Sequence, residues 1–178
     1  SEFMRVFAER LGDDGIRVVR FEFPYMAGRR RTGIKRPPDR GPVLLDTWRE
    51  VIAELGPENL VTGGKSMGGR IASLLADEAG VKGLVCLGYP FHAPGKAPGP
   101  NRLEHLEALK TPTLICQGTR DALGSHEEVA GYLLSDAIRL HWLVDGDHSF
   151  KPRKASGRSE DQNWNEAIAT IGDFIRGL

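Results

Sequence analysis

Apolar residues recur at helical spacing from Phe3 to Leu11, with Phe3, Val6, Phe7 and Leu11 on one face, and Gly12 to Gly15 stops the pattern. A β-branched and aromatic run, Ile16 to Phe23, follows and breaks at Pro24, which reads as a buried strand. Helical spacing returns from about Pro42 to Leu55, with Pro in the tolerated first turn and Gly56-Pro57 as the stop. Leu60-Val61-Thr62 is then a short strand entering Gly63-Gly64, and Met67 to Glu78 is helical up to Gly80. The remaining strands are Gly83–Leu87, Pro112–Gln117 and Ile138–Val144, interleaved with helices at Asn101–Leu109 and Glu127–Leu134. A last helix from about Asp161 to Leu178 carries Trp164, Ala167, Ile168, Ile171, Phe174 and Ile175 on one face.

Strands alternating with helices predict an α/β fold with a mostly parallel sheet of about five strands, covered by helices on both sides. The 178 residues suit one domain, 1–178. Two segments stand apart from the core pattern. Ser1-Glu2-Phe3 before Met4 reads as a cloning scar, and 29–42 is crowded with Arg29, Arg30, Arg31, Lys35, Arg36 and Arg40 around Pro37-Pro38, which predicts an exposed basic loop.

Acidic and basic residues balance at 24 each, so no whole-molecule field points to nucleic acid or a membrane, and any charge-based recognition must be local. No stretch approaches the roughly 20 apolar residues of a membrane span, and no signal peptide is visible. Cys86 and Cys116 sit inside apolar strand runs, so they are expected as reduced core thiols, which points to the cytoplasm. They are too far apart in sequence for a metal motif. No metal and no cofactor is expected.

Ligands of an open parallel sheet bind beyond the carboxyl ends of its strands. One such end is Gly64-Lys65-Ser66-Met67-Gly68, where a strand passes through a sharp turn into a helix. That turn would lift Ser66 out of the sheet as a nucleophile, with Gly64 and Gly68 as the small neighbours and the Met67 N–H as an oxyanion donor at the helix N-terminus. Asp121, in Gly118-Thr119-Arg120-Asp121, and His148, in Gly146-Asp147-His148-Ser149-Phe150, follow two later strands. The order Ser, Asp, His then assigns His148 as base and Asp121 as its orienting acid. Asp145 and Asp147 are too close to His148 in sequence to reach its far nitrogen and are expected to shape the turn. Tyr25, Met26, Tyr89, Phe91 and His92 follow strands and could wall a substrate pocket, with core packing as the plain alternative. A P-loop reading of Gly64-Lys65-Ser66 lacks its earlier glycine, since Asn59 stands there.

Together, Gly63-Gly64-Lys65-Ser66-Met67-Gly68-Gly69-Arg70 and the Asp121 and His148 segments resemble the dienelactone-hydrolase-like branch of the α/β hydrolases. More narrowly, Arg20-Phe21-Glu22-Phe23-Pro24-Tyr25-Met26 and the basic segment after it resemble bacterial relatives of a hydrolase-like regulatory subunit of the NSL histone-acetyltransferase complex. The order Ser66, Asp121, His148 predicts a serine hydrolase acting on an ester or related acyl bond of a small-molecule substrate, neutral or anionic. The resemblance implies a hydrolase fold without a large inserted lid and leaves the substrate unassigned. It also implies an N-terminal strand and oxyanion loop that this chain, starting at the first helix, does not show, so Met67 is the one oxyanion donor in view and weak turnover is expected. Two further expectations compete with plainer ones. The basic loop, Arg120, Lys151, Arg153, Lys154 and Arg158 read as solvated charge or as a positive rim for an anionic substrate. The whole chain reads as an enzyme or as a non-catalytic scaffold for protein interaction.

Overall fold

The structure, a computed structural model, describes residues 1–96 and 100–178. Four strands form one parallel sheet in the order β1 (Val61–Lys65), β2 (Gly83–Leu87), β3 (Thr113–Gly118) and β4 (Ile138–Leu143). Before β1 come the helices α1 (Glu2–Asp13), α2 (Pro24–Thr32) and α3 (Gly41–Leu55). Between and after the strands lie α4 (Met67–Ser73), α5 (Ala76–Ala79), α6 (Pro100–Glu107), α7 (His126–Val129) and α8 (Glu160–Arg176). The fold class is α/β.

The period of two along each strand sorts the core into two layers. Leu84, Cys86 and Ile115 face Leu44, Trp48 and Ile52 of α3 and Ile71 of α4. Val85, Leu87, Leu114, Cys116 and Leu143 face Phe7 and Leu11 of α1 and Ala167, Ile168 and Ile171 of α8. Cys86 and Cys116 therefore point to opposite faces of the sheet, which keeps both as free buried thiols. Burial pushes both above the ordinary thiol range, Cys116 to about 12.

Two expectations are corrected. Ile16–Phe23 is not a strand: it runs without a ladder partner, with Val18 and Val19 exposed, and the sheet has four strands among the described residues instead of about five. Phe21 and Phe23 are held instead by each other and by Trp48, whose ring lies 4.6 Å from Phe21. The basic segment 29–42 is not all loop. Pro24 at the first turn and Gly33, left-handed at φ 71°, delimit α2, so Arg29–Thr32 are helical, and Gly41 and Pro42 open α3. Residues 1–3 open α1, where the Ser1 hydroxyl accepts the Met4 N–H at 3.4 Å and Phe3 stacks on Phe7 at 4.3 Å.

Candidate active site

The turn after β1 holds Ser66 at φ 53° and ψ −117°, a conformation that costs a non-glycine residue roughly 1–3 kcal/mol and persists only where its surroundings enforce it. They do so by backbone contact. A Cβ on Gly64 would lie 2.8 Å from the Gly68 carbonyl carbon, so the strand and the helix after it meet main chain to main chain. Gly69 is equally confined, 2.7 Å from the Gly64 carbonyl oxygen, whereas a Cβ on Gly68 would meet open space. The small neighbour that the turn needs on the helix side is thus Gly69 and not, as expected, Gly68.

His148 Nε2 lies 2.9 Å from Ser66 Oγ, and its Nδ1 lies 2.8 Å from Asp121 Oδ2. Asp121 is fully buried, and it also accepts from the Leu123 N–H at 2.9 Å and from Gln117 Nε2 at 2.9 Å. Every partner of the carboxylate is a donor, so the imidazole presents Nδ1–H to it, which leaves Nε2 as the acceptor facing Ser66.

Gln117, fully buried at the end of β3, ties this arrangement to its neighbours. Its amide donates to Asp121, to the Tyr89 carbonyl and to the Gly124 carbonyl, and its oxygen accepts the Tyr89 N–H at 2.7 Å. Lys65 does the same for His148. Its Nζ donates to the His148 carbonyl at 2.6 Å and stands over the Phe3 ring at 5.6 Å. Burial lowers the Lys65 ammonium to about 8, against the opposing pull of Asp121 and Asp147. Neither residue stood out in the sequence as part of the site. For Gln117 the available signal was an amide inside the apolar run Leu114-Ile115-Cys116, which once buried has to be satisfied.

The turn that carries His148 is strained as well, with Asp145 at φ 55° and Phe150 at φ 71°. Phe150 is sealed among Phe3 and Phe7, and buried Asn163 of α8 donates to the carbonyls of Phe150 at 2.7 Å and Val144 at 3.1 Å. Asp145 is taken up by Arg153 and Arg120, which hold its carboxyl down at about 2. Asp147 Oδ1 accepts the N–H groups of Ser149 and Lys151. Both carboxylates build the turn, and Asp121 alone reaches the imidazole Nδ1.

Of the residues read as pocket walls, Tyr25 and Met26 line a cavity of about 340 Å³ with Glu22, Arg29, Arg30 and Gly33. Tyr89, Phe91 and His92 do not line it. They turn into the core, where the Tyr89 ring lies tilted against that of Phe91 at 4.8 Å and the His92 Nδ1 meets the Ala93 carbonyl. The His92 Nε2 stands 3.5 Å from Glu128 and has no hydrogen-bond partner. Part of the basic rim is neutralised: Arg30 pairs with Glu22, Arg120 and Arg153 share Asp145, and Arg158 pairs with Glu166. Among the described residues no group of three or more His, Cys, Asp or Glu is placed to hold a metal ion, and no helix is long and apolar enough to cross a membrane.

A family model described as an alpha/beta hydrolase domain matches residues 1–176. No curated protein matches the chain. Among solved structures, the chain is similar to an alpha-beta serine hydrolase homologue from Coxiella burnetii, at 17% identity and TM-score 0.64 over 99% of this chain and 76% of that one. It is also similar to a structure described with LipS and LipT, two metagenome-derived lipolytic enzymes, at 17% identity and TM-score 0.69 over 99% and 88%. A third, a predicted CIB-like hydrolase from Thermoplasma acidophilum, matches at 17% identity and TM-score 0.53 over 78% of this chain, which spans 61% of that protein. At these identities the likeness shows the fold.

Proposed function

The chain belongs to the alpha/beta hydrolase domain family, and on that premise we propose that it is a serine hydrolase acting on an ester or related acyl bond of a small-molecule substrate. The observation that carries this reading is the pair of contacts, 2.9 Å and 2.8 Å, that joins Ser66, His148 and Asp121 from the ends of three different strands. His148 Nε2 takes the Ser66 proton as Oγ forms its bond to the acyl carbon, and Asp121 steadies the imidazolium. The carbonyl oxygen gains the negative charge beside the Met67 N–H, which opens α4 without a partner inside the helix. As the acyl–oxygen bond breaks, His148 returns the proton to the leaving alcohol, and water releases the acyl group by the same steps in reverse. No cofactor takes part. The dienelactone-hydrolase-like and NSL-related resemblances and a cytoplasmic setting for the two free thiols belong to the same proposal.

Labelling with a fluorophosphonate, in this chain and in Ser66→Ala, tests the reading, together with hydrolysis of 4-nitrophenyl pentanoate. A label that depends on Ser66 is expected. If no Ser66-dependent label forms, the serine mechanism is excluded and the chain is a hydrolase fold used as an interaction module.

A further inference from the structure

Three arginines at the active end of the sheet, Arg120, Arg153 and Arg158, each have a carboxylate partner. Two others do not. Arg70 stands one turn into α4 from Ser66, its backbone N–H bonded to the Ser66 carbonyl at 3.1 Å, and its charge acts on His105 of α6. It is half-buried, yet among the described residues its guanidinium meets neither a carboxylate nor a hydrogen-bond acceptor. The sealed and unpartnered side-chain atoms among the described residues are Trp48 Nε1 and His92 Nε2, so the free N–H groups of Arg70 are open to solvent.

Arg102, on α6, donates from one nitrogen to the Pro90 carbonyl at 2.8 Å and likewise has no carboxylate. Pro90 is two residues past Gly88, where a Cβ would sit 3.3 Å from His148 Cε1. The Arg102 side chain is therefore tied to the main chain two residues past the one that approaches the base, while Arg70 follows the nucleophile by one helical turn. A fixed scaffold joins the two helices. Ser73 Oγ donates to the Arg70 carbonyl and lies 2.8 Å from His105 Nε2, and the Tyr89 hydroxyl donates to the Arg102 carbonyl at 3.0 Å.

The two guanidiniums feel each other. Burial and the Arg102 charge both lower Arg70 from its ordinary value, and burial together with Arg70 lowers His105 to about 4, which keeps it neutral. The acidic group acting on Arg70 is the Tyr89 phenol, itself pushed up by burial and so uncharged near neutral pH. Two like charges partly out of water with no counter-ion are unfavourable in the free protein, and an anion between them removes the conflict. A planar guanidinium fork fits a carboxylate better than it fits a point charge.

We propose that Arg70 and Arg102 form a carboxylate-binding subsite beside Ser66, selecting acyl groups that carry an anion at their far end. This rests on the serine-hydrolase reading, and the test keeps the two separable. The probes are the 4-nitrophenyl monoester of glutaric acid and 4-nitrophenyl pentanoate, which match in length and differ in charge. The ratio of kcat/KM for the charged over the neutral ester is expected to fall at least tenfold in both Arg70→Gln and Arg102→Gln, mainly through KM. Lys82→Gln, at the opposite end of the sheet, keeps the ratio. Arg70→Lys and Arg102→Lys, which preserve charge and packing but not the fork, are expected in between and report on the subsite where a glutamine variant does not fold. Calorimetric titration of Ser66→Ala with glutarate is expected to show binding that Arg102→Gln removes. Equal ratios in the wild type and all four arginine variants, or no glutarate binding by a protein whose Ser66 takes the fluorophosphonate, overturns the subsite and leaves the hydrolase. Glutarate binding without a Ser66 label overturns the hydrolase and leaves the subsite.

Discussion

The strand ends around Ser66 and the segment from Ile16 to Thr32 both carry large side chains, but they are held in opposite ways. At the strand ends strain is concentrated: among the described residues the non-glycine residues with positive φ, Ser66, Asp145 and Phe150, all lie in the turns that carry Ser66 and His148. Each is pinned by main-chain contact or by a polar partner, buried Asn163 or the exposed Arg153. Along Ile16–Phe23 the backbone is ordinary, and it runs extended without a ladder, with Val18 and Val19 open to solvent. Strained geometry survives where the surroundings over-determine it, and favourable local propensity builds nothing where no strand edge receives it.

The sharpest break in this comparison comes from the strand-end side. Asp121→Asn keeps the volume of the side chain but offers the imidazole the wrong partner, so kcat for 4-nitrophenyl pentanoate is expected to drop by about 10⁴-fold, while thermal unfolding moves far less. A comparable loss is expected for Ser66→Ala. If Asp121→Asn stayed within tenfold of wild type, the buried carboxylate would be structural and the proposed role of His148 would go with it.

Lys65 gives the next largest effect, and its sign can be worked out. Its pKa falls from 10.5 to about 8 on folding, so between those pH values the unfolded chain holds a proton that the folded chain has released. Stability conferred by this site therefore rises with pH across that window and is flat below about pH 8. The gain is at most about 3 kcal/mol, because each tenfold change in proton affinity is worth roughly 1.4 kcal/mol. Urea unfolding at pH 7 and pH 10 should show the wild type gaining on Lys65→Met. An identical pH response in the two proteins would mean that the ammonium is solvated and does not pin the His148 carbonyl.

How far the residues alone disclosed this arrangement follows the same divide. The four strands that form were readable because each is an apolar run closed by Gly or by a polar turn, and the segments carrying Ser66, Asp121 and His148 sit at their ends. The fifth strand was misread because β-branched content measures fit to a half-buried pleat, and Ile16–Phe23 has no neighbour to make one. Tyr89, Phe91 and His92 follow a strand as a pocket wall would, but Gln117 draws the Tyr89 backbone inward, a contact 28 residues distant that no local pattern announces. Gly69, Lys65 and Arg70 were in plain view beside Ser66. Their tasks depend on Cys86, on the His148 carbonyl and on Arg102, all supplied by other parts of the chain.

The smallest predicted effects make the comparison most directly, because one substitution should act with opposite signs in the two regions. A Cβ on Gly118 would lie 2.3 Å from the Gly146 carbonyl oxygen and 2.4 Å from that of Asp147, backbone atoms that cannot swing aside. Gly118→Ala must push the turn bearing Asp121 away from the turn bearing His148, so a loss of about 1–3 kcal/mol is expected, with a fall in esterase activity beyond what the lost stability explains. Gly28 lies inside α2, has nothing within 4 Å of its would-be Cβ, and is not among the glycines with positive φ. There alanine removes backbone freedom from the unfolded chain and strains nothing, so Gly28→Ala is expected to stabilise by about 0.4–1 kcal/mol. Thermal unfolding of the two variants side by side decides the matter. Destabilisation by Gly28→Ala would mean that α2 is packed against something its exposed surface does not show, and the contrast between an over-determined site and a loosely held approach to it would collapse.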